Sequence, residues 1–151
     1  MVLKVGDPIL RKAITGDFHE YPITGCDSNG DIETSRRYSL FYELRLALVL
    51  KFPGLYVPPL PAKKMTGNKE EFTLVERRHF LNLFLHECTQ LKYLAQSKEL
   101  NVFLLEAPEK CAKELSRLQS KQRTAGRLAI YRACLSIDEV SIVMHCLLIR
   151  L

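Results

Sequence analysis

A glycine-rich phosphate loop is missing from this chain. Its seven glycines never form G-x-G or G-x-x-x-x-G-K, which removes the loops that cradle nucleotide phosphates. The four histidines (His19, His79, His86, His145) contain no His-Glu-x-x-His. His79 and His86 stand about two helical turns apart and make no metal site by themselves. The five cysteines (Cys26, Cys88, Cys111, Cys134, Cys146) are odd in number and widely spaced, without Cys-x-x-Cys. They read as free thiols of a cytosolic protein rather than a disulfide framework or a zinc site. Cys88 lies near His86 only in sequence, with no third group to orient a dyad, and falls in an apolar pattern. No run of about 18 apolar residues offers a membrane span, and Met1 to Gly6 shows no signal-peptide core. No catalytic constellation emerges, so the expectation is a protein that is not an enzyme and carries no cofactor and no metal.

What is present is charge, unevenly placed. The chain has 151 residues and a net charge of +5, enough for one domain plus an extension. Residues 1–35 hold 3 basic and 6 acidic groups, whereas residues 36–78 hold 9 basic and 4 acidic. The positive field is therefore concentrated in the second stretch, which points to an anionic partner there; solubility alone is the competing explanation. Exposed aromatics do not accompany the basic sites and no recognition helix is visible, so a nucleic-acid partner is not expected.

Strand signals come first and helix signals later, which predicts an α+β fold. Residues 1–14 hold one short or irregular strand. Thr15-Gly16-Asp17 reads as a turn and Phe18 to Thr24 as a strand, in which Pro22 marks an edge or a bulge. The stretch from Gly25 to Gly30 is dense in turn formers, and Asn29-Gly30 is a hairpin signal. The return strand, Asp31 to Tyr38, places Ile32, Thr34 and Arg36 on one face and Glu33, Ser35 and Arg37 on the other. Arg36 and Arg37 therefore cannot do the same job. Ser39 is a plausible N-cap for a helix with the stripe Phe41, Leu44, Leu48, Phe52, ended by Pro53-Gly54. Four prolines and two glycines keep residues 53–68 irregular, with Val57 to Pro61 extended. Asn68-x-x-Glu71 resembles a capping box before a long helix to Gln90, with Phe72, Val75, Phe80, Leu83, Phe84, Cys88 and Leu91 as its apolar side. Arg77 falls among its polar positions. Ser97 caps one more helix with Leu100, Phe103 and Leu104 inward. Beyond Pro108, Cys111, Leu115, Leu118 and Gln122 could line a short basic helix up to Gly126. Residues 135–151 are apolar but interrupted by charge; they could pack on the domain, meet another chain or lack order.

A phosphomonoester carries about −1.5 to −2 charges near pH 7, and arginine answers it best, through a planar fork. An aromatic beside that arginine can cover the apolar face of a ring, a lysine on a turn can meet a second phosphate, and another arginine can bond hydroxyls. Arg37, Tyr38, Lys63 and Arg77 suit these needs, if a fold brings them together; taken singly, each could be a solvated charge on its own element.

The series Arg36-Arg37-Tyr38-Ser39-x-Phe41, Leu44, Pro58-Pro59-x-Pro61-x-Lys63, Glu76-Arg77-Arg78-x-x-Leu81-x-x-Phe84-Leu85 and Ser97-x-x-Leu100-x-x-Phe103-Leu104 resembles the PX (phox homology) domain of sorting nexins. The order and spacings agree over roughly residues 5–106, while no single piece is specific. The resemblance implies a three-stranded antiparallel sheet packed on a helical subdomain and crossed by a proline-rich loop. It divides the chain into a PX-like domain, 1–106, and a C-terminal extension, 107–151, with helical potential and no assigned role. It implies phosphoinositide binding, most often of phosphatidylinositol 3-phosphate, by a cytoplasmic protein peripheral on endosomal membranes in sorting and trafficking.

Carried over by position, Arg37 matches the arginine that grips the 3-phosphate and Tyr38 the aromatic under the inositol ring. Lys63 matches the lysine that meets the 1-phosphate, and Arg77 the arginine that bonds the ring hydroxyls. Arg36 matches a structural position. Leu40 stands where the family often has an acidic residue. Around the pocket, Met65, Tyr56 and Lys64 are the expected membrane contacts, with Leu55 and Val57 either inserting or packing inward. Lys64, Lys69 and Arg78 would each add about 1 kcal/mol near an anionic surface. A single headgroup site binds weakly, so a homo- or heterodimer, or another trafficking protein, is an expected further partner. The other reading is a protein-interaction module with weak or no lipid binding, its contact either Pro58-x-x-Pro61 as a ligand for a proline-binding domain or a helical face.

Overall fold

The computed structural model describes residues 1–14, 16–27, 30–61 and 70–125. Four strands, β1 (Val2–Val5), β2 (Ile9–Arg11), β3 (Phe18–Asp27) and β4 (Gly30–Arg37), make one antiparallel sheet in which β3 pairs with all the others. β1 and β2 lie end to end along the same edge of β3: Val5 pairs Ile23 and Ile9 pairs Glu20. Three residues, Gly6 to Pro8, thus face two, Tyr21 and Pro22, which is a one-residue bulge. The expected three-stranded sheet is this arrangement, with its first strand bent into two segments.

The bulge explains Pro22. Its carbonyl accepts from the Gly6 N–H at 2.8 Å. The N–H and C=O of a strand residue point to the same side, so the donor that proline lacks would have faced the bulge, not β4. The turn expected from Gly25 is shorter than its composition suggests, because β3 runs on to Asp27, which pairs Gly30. Gly25 is needed in the strand: a Cβ there would lie 2.0 Å from the Val2 carbonyl oxygen and 3.0 Å from Leu3 Cα. Gly25→Val should therefore cost about 1–3 kcal/mol through overpacking. Urea unfolding checks this, and a midpoint equal to wild type would reject the close approach.

Helix α1 (Tyr38–Lys51) follows β4 directly, so Arg37, not Ser39, occupies the N-cap position, and no side chain caps it. Ser39 lies inside the first turn. Phe41, Leu44 and Leu48 are fully buried as their spacing predicts. Phe41 packs edge-on to Phe103 (4.9 Å between centroids) and Phe84 (6.5 Å). Those two rings belong to α2 (Glu71–Gln90) and α4 (Lys98–Leu105); a short α3 (Lys92–Ala95), unforeseen in the sequence, links them.

The apolar side expected for α2 is corrected. Phe72, Val75, Phe80 and Leu83 are exposed, and the buried face is Thr73, Arg77, Leu81, Phe84, Leu85 and Cys88. The expected set spread too far round the helix for one contact surface; of it Phe84 and Cys88 are buried, and the packing of Leu81, Phe84 and Leu85 turns the helix toward the other arc. The N-cap position is Glu70, without a side-chain cap; Asn68 lies outside the described residues, as do Asn29 and Thr15. Ser97 caps α4 as expected, accepting from the Leu100 N–H at 3.2 Å.

A fifth helix, α5, covers 108–125. Cys111, Leu115 and Leu118 enter the same core, and Gln119 bonds Glu43 of α1. Gln122 bonds Glu99, which also pairs Lys51 at 2.6 Å. Both Cys88 and Cys111 are buried, and burial pushes the Cys88 thiol up to about 12, assisted by Glu87. The apolar residues 135–151 lie outside the described residues. Among the described residues no helix is long and apolar enough to cross a membrane.

Candidate anion-binding cleft

The two neighbouring arginines go opposite ways, as strand alternation requires. Arg36 is fully buried. Its Nε donates to the Phe103 carbonyl (2.7 Å), Nη2 to the Glu106 carbonyl (2.5 Å) and Nη1 to the Ser35 carbonyl (2.9 Å). The Phe103 and Glu106 carbonyls lie at the C-terminal end of α4, where the helix dipole favours a cation. Burial pulls the Arg36 pKa down, while the Cys111 thiol beside it acts in the opposite sense. Arg36 thus ties β4 to the α4–α5 junction and is not available to a ligand.

Arg37 is exposed at the other face. It pairs with Glu20 in the ladder, and its guanidinium lies over the Phe18 ring, 3.0 Å from the centroid. Across the cleft, Arg77 reaches from α2 with its guanidinium 4.1 Å from the centre of the Tyr38 ring. Each guanidinium carbon thus lies over an aromatic ring, within the range of a cation–π attraction. Arg77 also adjoins the Tyr21 hydroxyl: burial raises the pKa of that phenol and Arg77 opposes the rise. The Tyr38 phenol is raised too, by burial first and then by Tyr42, again against Arg77.

A cleft of about 260 Å³ lies between them, lined by Asp17, Phe18, His19, Arg37, Tyr38, Ser39 and Arg77. Arg37, Tyr38 and Ser39 are the N-cap and first residues of α1. That helix has no acidic residue in its first turn and no side-chain cap, so its free N–H groups and positive end add to the field of the two arginines. The chemistry is that of an anion receptor with an aromatic wall. Asp17 can accept from ligand hydroxyls at the mouth. No cluster of three or more His, Cys, Asp or Glu suited to a metal is assembled among the described residues.

The structure brings together three of the four expected headgroup residues, Arg37, Tyr38 and Arg77. Lys63 lies outside the described residues, as do Met65, Lys64 and Lys69. Tyr56 is exposed but placed elsewhere: its hydroxyl donates to Glu87 at 2.8 Å, and its carbonyl accepts from Tyr93 at 2.5 Å. Glu87 is ten residues beyond Arg77 on the same helix, about 15 Å along the axis. Leu55 is exposed and Val57 buried. Arg78 is paired with Asp7 at the bulge. Pro58 is buried and Pro61 half-buried, which weighs against an open Pro-x-x-Pro ligand. Sequence reasoning missed Phe18, His19 and Asp17 as cleft residues, and read Ser39 only as a cap. The signal that could have found Phe18 is its place on the strand face of Glu20, the ladder partner of Arg37.

A family model described as "PX domain" matches residues 24–107. Among curated relatives, the chain is 32% identical over 109 residues to "Sorting nexin lst-4" of Caenorhabditis elegans, covering 72% of this chain and 19% of that protein. It is 37% identical over 90 residues to "Sorting nexin-41" of Emericella nidulans, covering 54% of this chain and 14% of the relative. The chain therefore spans under a fifth of the length of these two relatives. Among solved structures, "X-ray structure of a designed CISK-PX domain" superposes with a TM-score of 0.61 at 25% identity, over 70% of this chain and 99% of that one.

Proposed function

Because the chain belongs to the PX domain family, a family of non-catalytic modules, we propose that its cleft receives the headgroup of a phosphoinositide, phosphatidylinositol 3-phosphate above others. The observation that carries this is the pair of stacked guanidiniums, Arg37 on Phe18 and Arg77 on Tyr38, facing one cleft at the N-terminus of α1. In this reading Arg37 grips the 3-phosphate with the α1 N–H groups behind it. Tyr38 offers its ring to the inositol, Arg77 bonds ring hydroxyls, and Lys63 meets the 1-phosphate. Met65 and Lys64, on the segment after Pro61, are the contacts with the bilayer. Tyr56, held at Glu87, serves the far end of the domain instead.

Residues 1–106 are the lipid-binding domain, and residues 107–151 are an extension whose helix α5 braces α1. The protein acts as a peripheral module on endosomal membranes in trafficking. Its single site makes a dimer or a second trafficking protein the natural source of added avidity.

Co-sedimentation with vesicles, each carrying one phosphoinositide, tests the reading. The expected result is strongest binding to phosphatidylinositol 3-phosphate, persisting at about 0.5 M salt, where exposed charges farther apart than a few ångströms are screened. Equal binding to every anionic vesicle, all of it lost in salt, would show surface charge without a headgroup pocket.

A further inference from the structure

One group in the cleft opposes the binding of anions. Asp17 brings a carboxylate to the lining beside Arg37 and Arg77. Among the described residues it enters no ion pair, so it neutralises neither arginine. Its place is set by the strand that it precedes. The Gly16 N–H donates to the Ala13 carbonyl at 2.9 Å, closing a turn in which Gly16 has φ 114°, a conformation that glycine adopts freely. β3 then starts one residue after Asp17. Strand alternation sends Phe18 to the face of Arg37 and His19 to the face of Tyr21, whose hydroxyl adjoins Arg77. The start of β3 thus has one arginine on each side, with Asp17 just ahead of it. Two guanidiniums against one carboxylate leave the fixed charges of the lining at +1. The N-terminus of α1 adds about +0.5. One phosphomonoester brings about −1.5 to −2, so the cleft balances one such group and not two.

We infer that Asp17 is a specificity-determining residue, which admits a headgroup with one phosphomonoester beside free hydroxyls and rejects a headgroup with two. The inference rests on the phosphoinositide reading above. An ionised carboxylate only accepts hydrogen bonds. A ring hydroxyl can donate to it. A second phosphate in the place of that hydroxyl sets acceptor against acceptor and like charge against like charge. Asp17 therefore weakens the binding of every anion somewhat and of bisphosphates most, and specificity is that difference.

The test is Asp17→Asn, which keeps the shape, removes the charge and can donate through its amide. Asp17 is exposed ahead of a strand, so the fold is retained, as circular dichroism checks. Co-sedimentation compares vesicles carrying phosphatidylinositol 3-phosphate, the 3,4-bisphosphate or the 3,5-bisphosphate in phosphatidylcholine, with phosphatidylserine vesicles as the charge control. The variant should bind the 3-phosphate within about threefold of wild type, and at least one bisphosphate about tenfold or more tighter than wild type does, the effect of one hydrogen bond to a charged group. Asp17→Lys should move the ratio of bisphosphate to monophosphate affinity further in the same direction. A ratio that stays within about twofold of wild type in Asp17→Asn, or an equal rise on all vesicles including phosphatidylserine, would overturn the inference. Arg37→Ala, run alongside, separates this failure from a failure of the headgroup reading. If that variant binds like wild type, the reading fails; if it loses binding while Asp17→Asn leaves the ratio unchanged, only the role of Asp17 fails.

Discussion

Arg37→Ala is expected to lower affinity for phosphatidylinositol 3-phosphate vesicles by about a hundredfold without unfolding the domain. A hydrogen bond to a charged group contributes about 1.5–3 kcal/mol. Losing a two-pronged grip on a phosphate, in which the second bond adds less than the first, therefore comes to about 3 kcal/mol, or two decades. The fold should survive because the side chain is exposed and lies over Phe18 at the sheet end. Arg37→Lys should fall between, since it keeps the charge and loses the fork. Sedimentation gives the affinity and circular dichroism the fold. If a folded Arg37→Ala bound within twofold of wild type, the cleft would not be the lipid site.

Its neighbour should behave in the opposite way. Arg36→Ala is expected to destabilise the protein by about 3–5 kcal/mol, because three carbonyls, of Ser35, Phe103 and Glu106, lose their donor in or near the core. Domains of this size hold roughly 5–15 kcal/mol in all, so much of the stability is at stake. Arg36→Met fills most of the volume yet leaves the same carbonyls unpaired, so it should recover only part of the loss. Denaturant melts decide this; a midpoint shift equivalent to less than about 1 kcal/mol would mean that water or backbone movement replaces the guanidinium. With both expected results, two adjacent arginines give one variant that folds and does not bind, and one that struggles to fold.

That division was legible in the sequence, because the period of a strand is two and needs no tertiary knowledge. So were the α1 stripe, the Ser97 cap and the α5 seam of Cys111, Leu115 and Leu118. The face of α2 was not. Its sequence offers apolar residues over more than half its circumference, and only the packing of Leu81, Phe84 and Leu85 against the core chooses between the arcs. The partner of Arg37 was obscured by register. Taking Asn29-Gly30 as the two hairpin residues would pair Arg37 with Pro22. The observed pairing of Asp27 with Gly30 slides it to Glu20 and hence beside Phe18. A slip of two keeps the face and changes the neighbours, which is why the arginine was found and its aromatic support was not. Likewise, the hydrogen bonds of Tyr42 and Arg45 to the Pro61 and Pro58 carbonyls join α1 to a segment with no periodicity to read.

The bulge at Gly6 to Pro8 has a consequence for how this molecule meets other proteins. An open strand edge is a template on which another chain can add a strand. Here the row of edge donors is broken twice. The bulge offsets β1 from β2, and the Val5 N–H is already taken by Asn82 Oδ1 at 3.0 Å, from the helix lying alongside. A stranger's backbone finds no continuous ladder to join along this edge, so recognition here must proceed through side chains, and this edge of the sheet is shielded from pairing with its own copies.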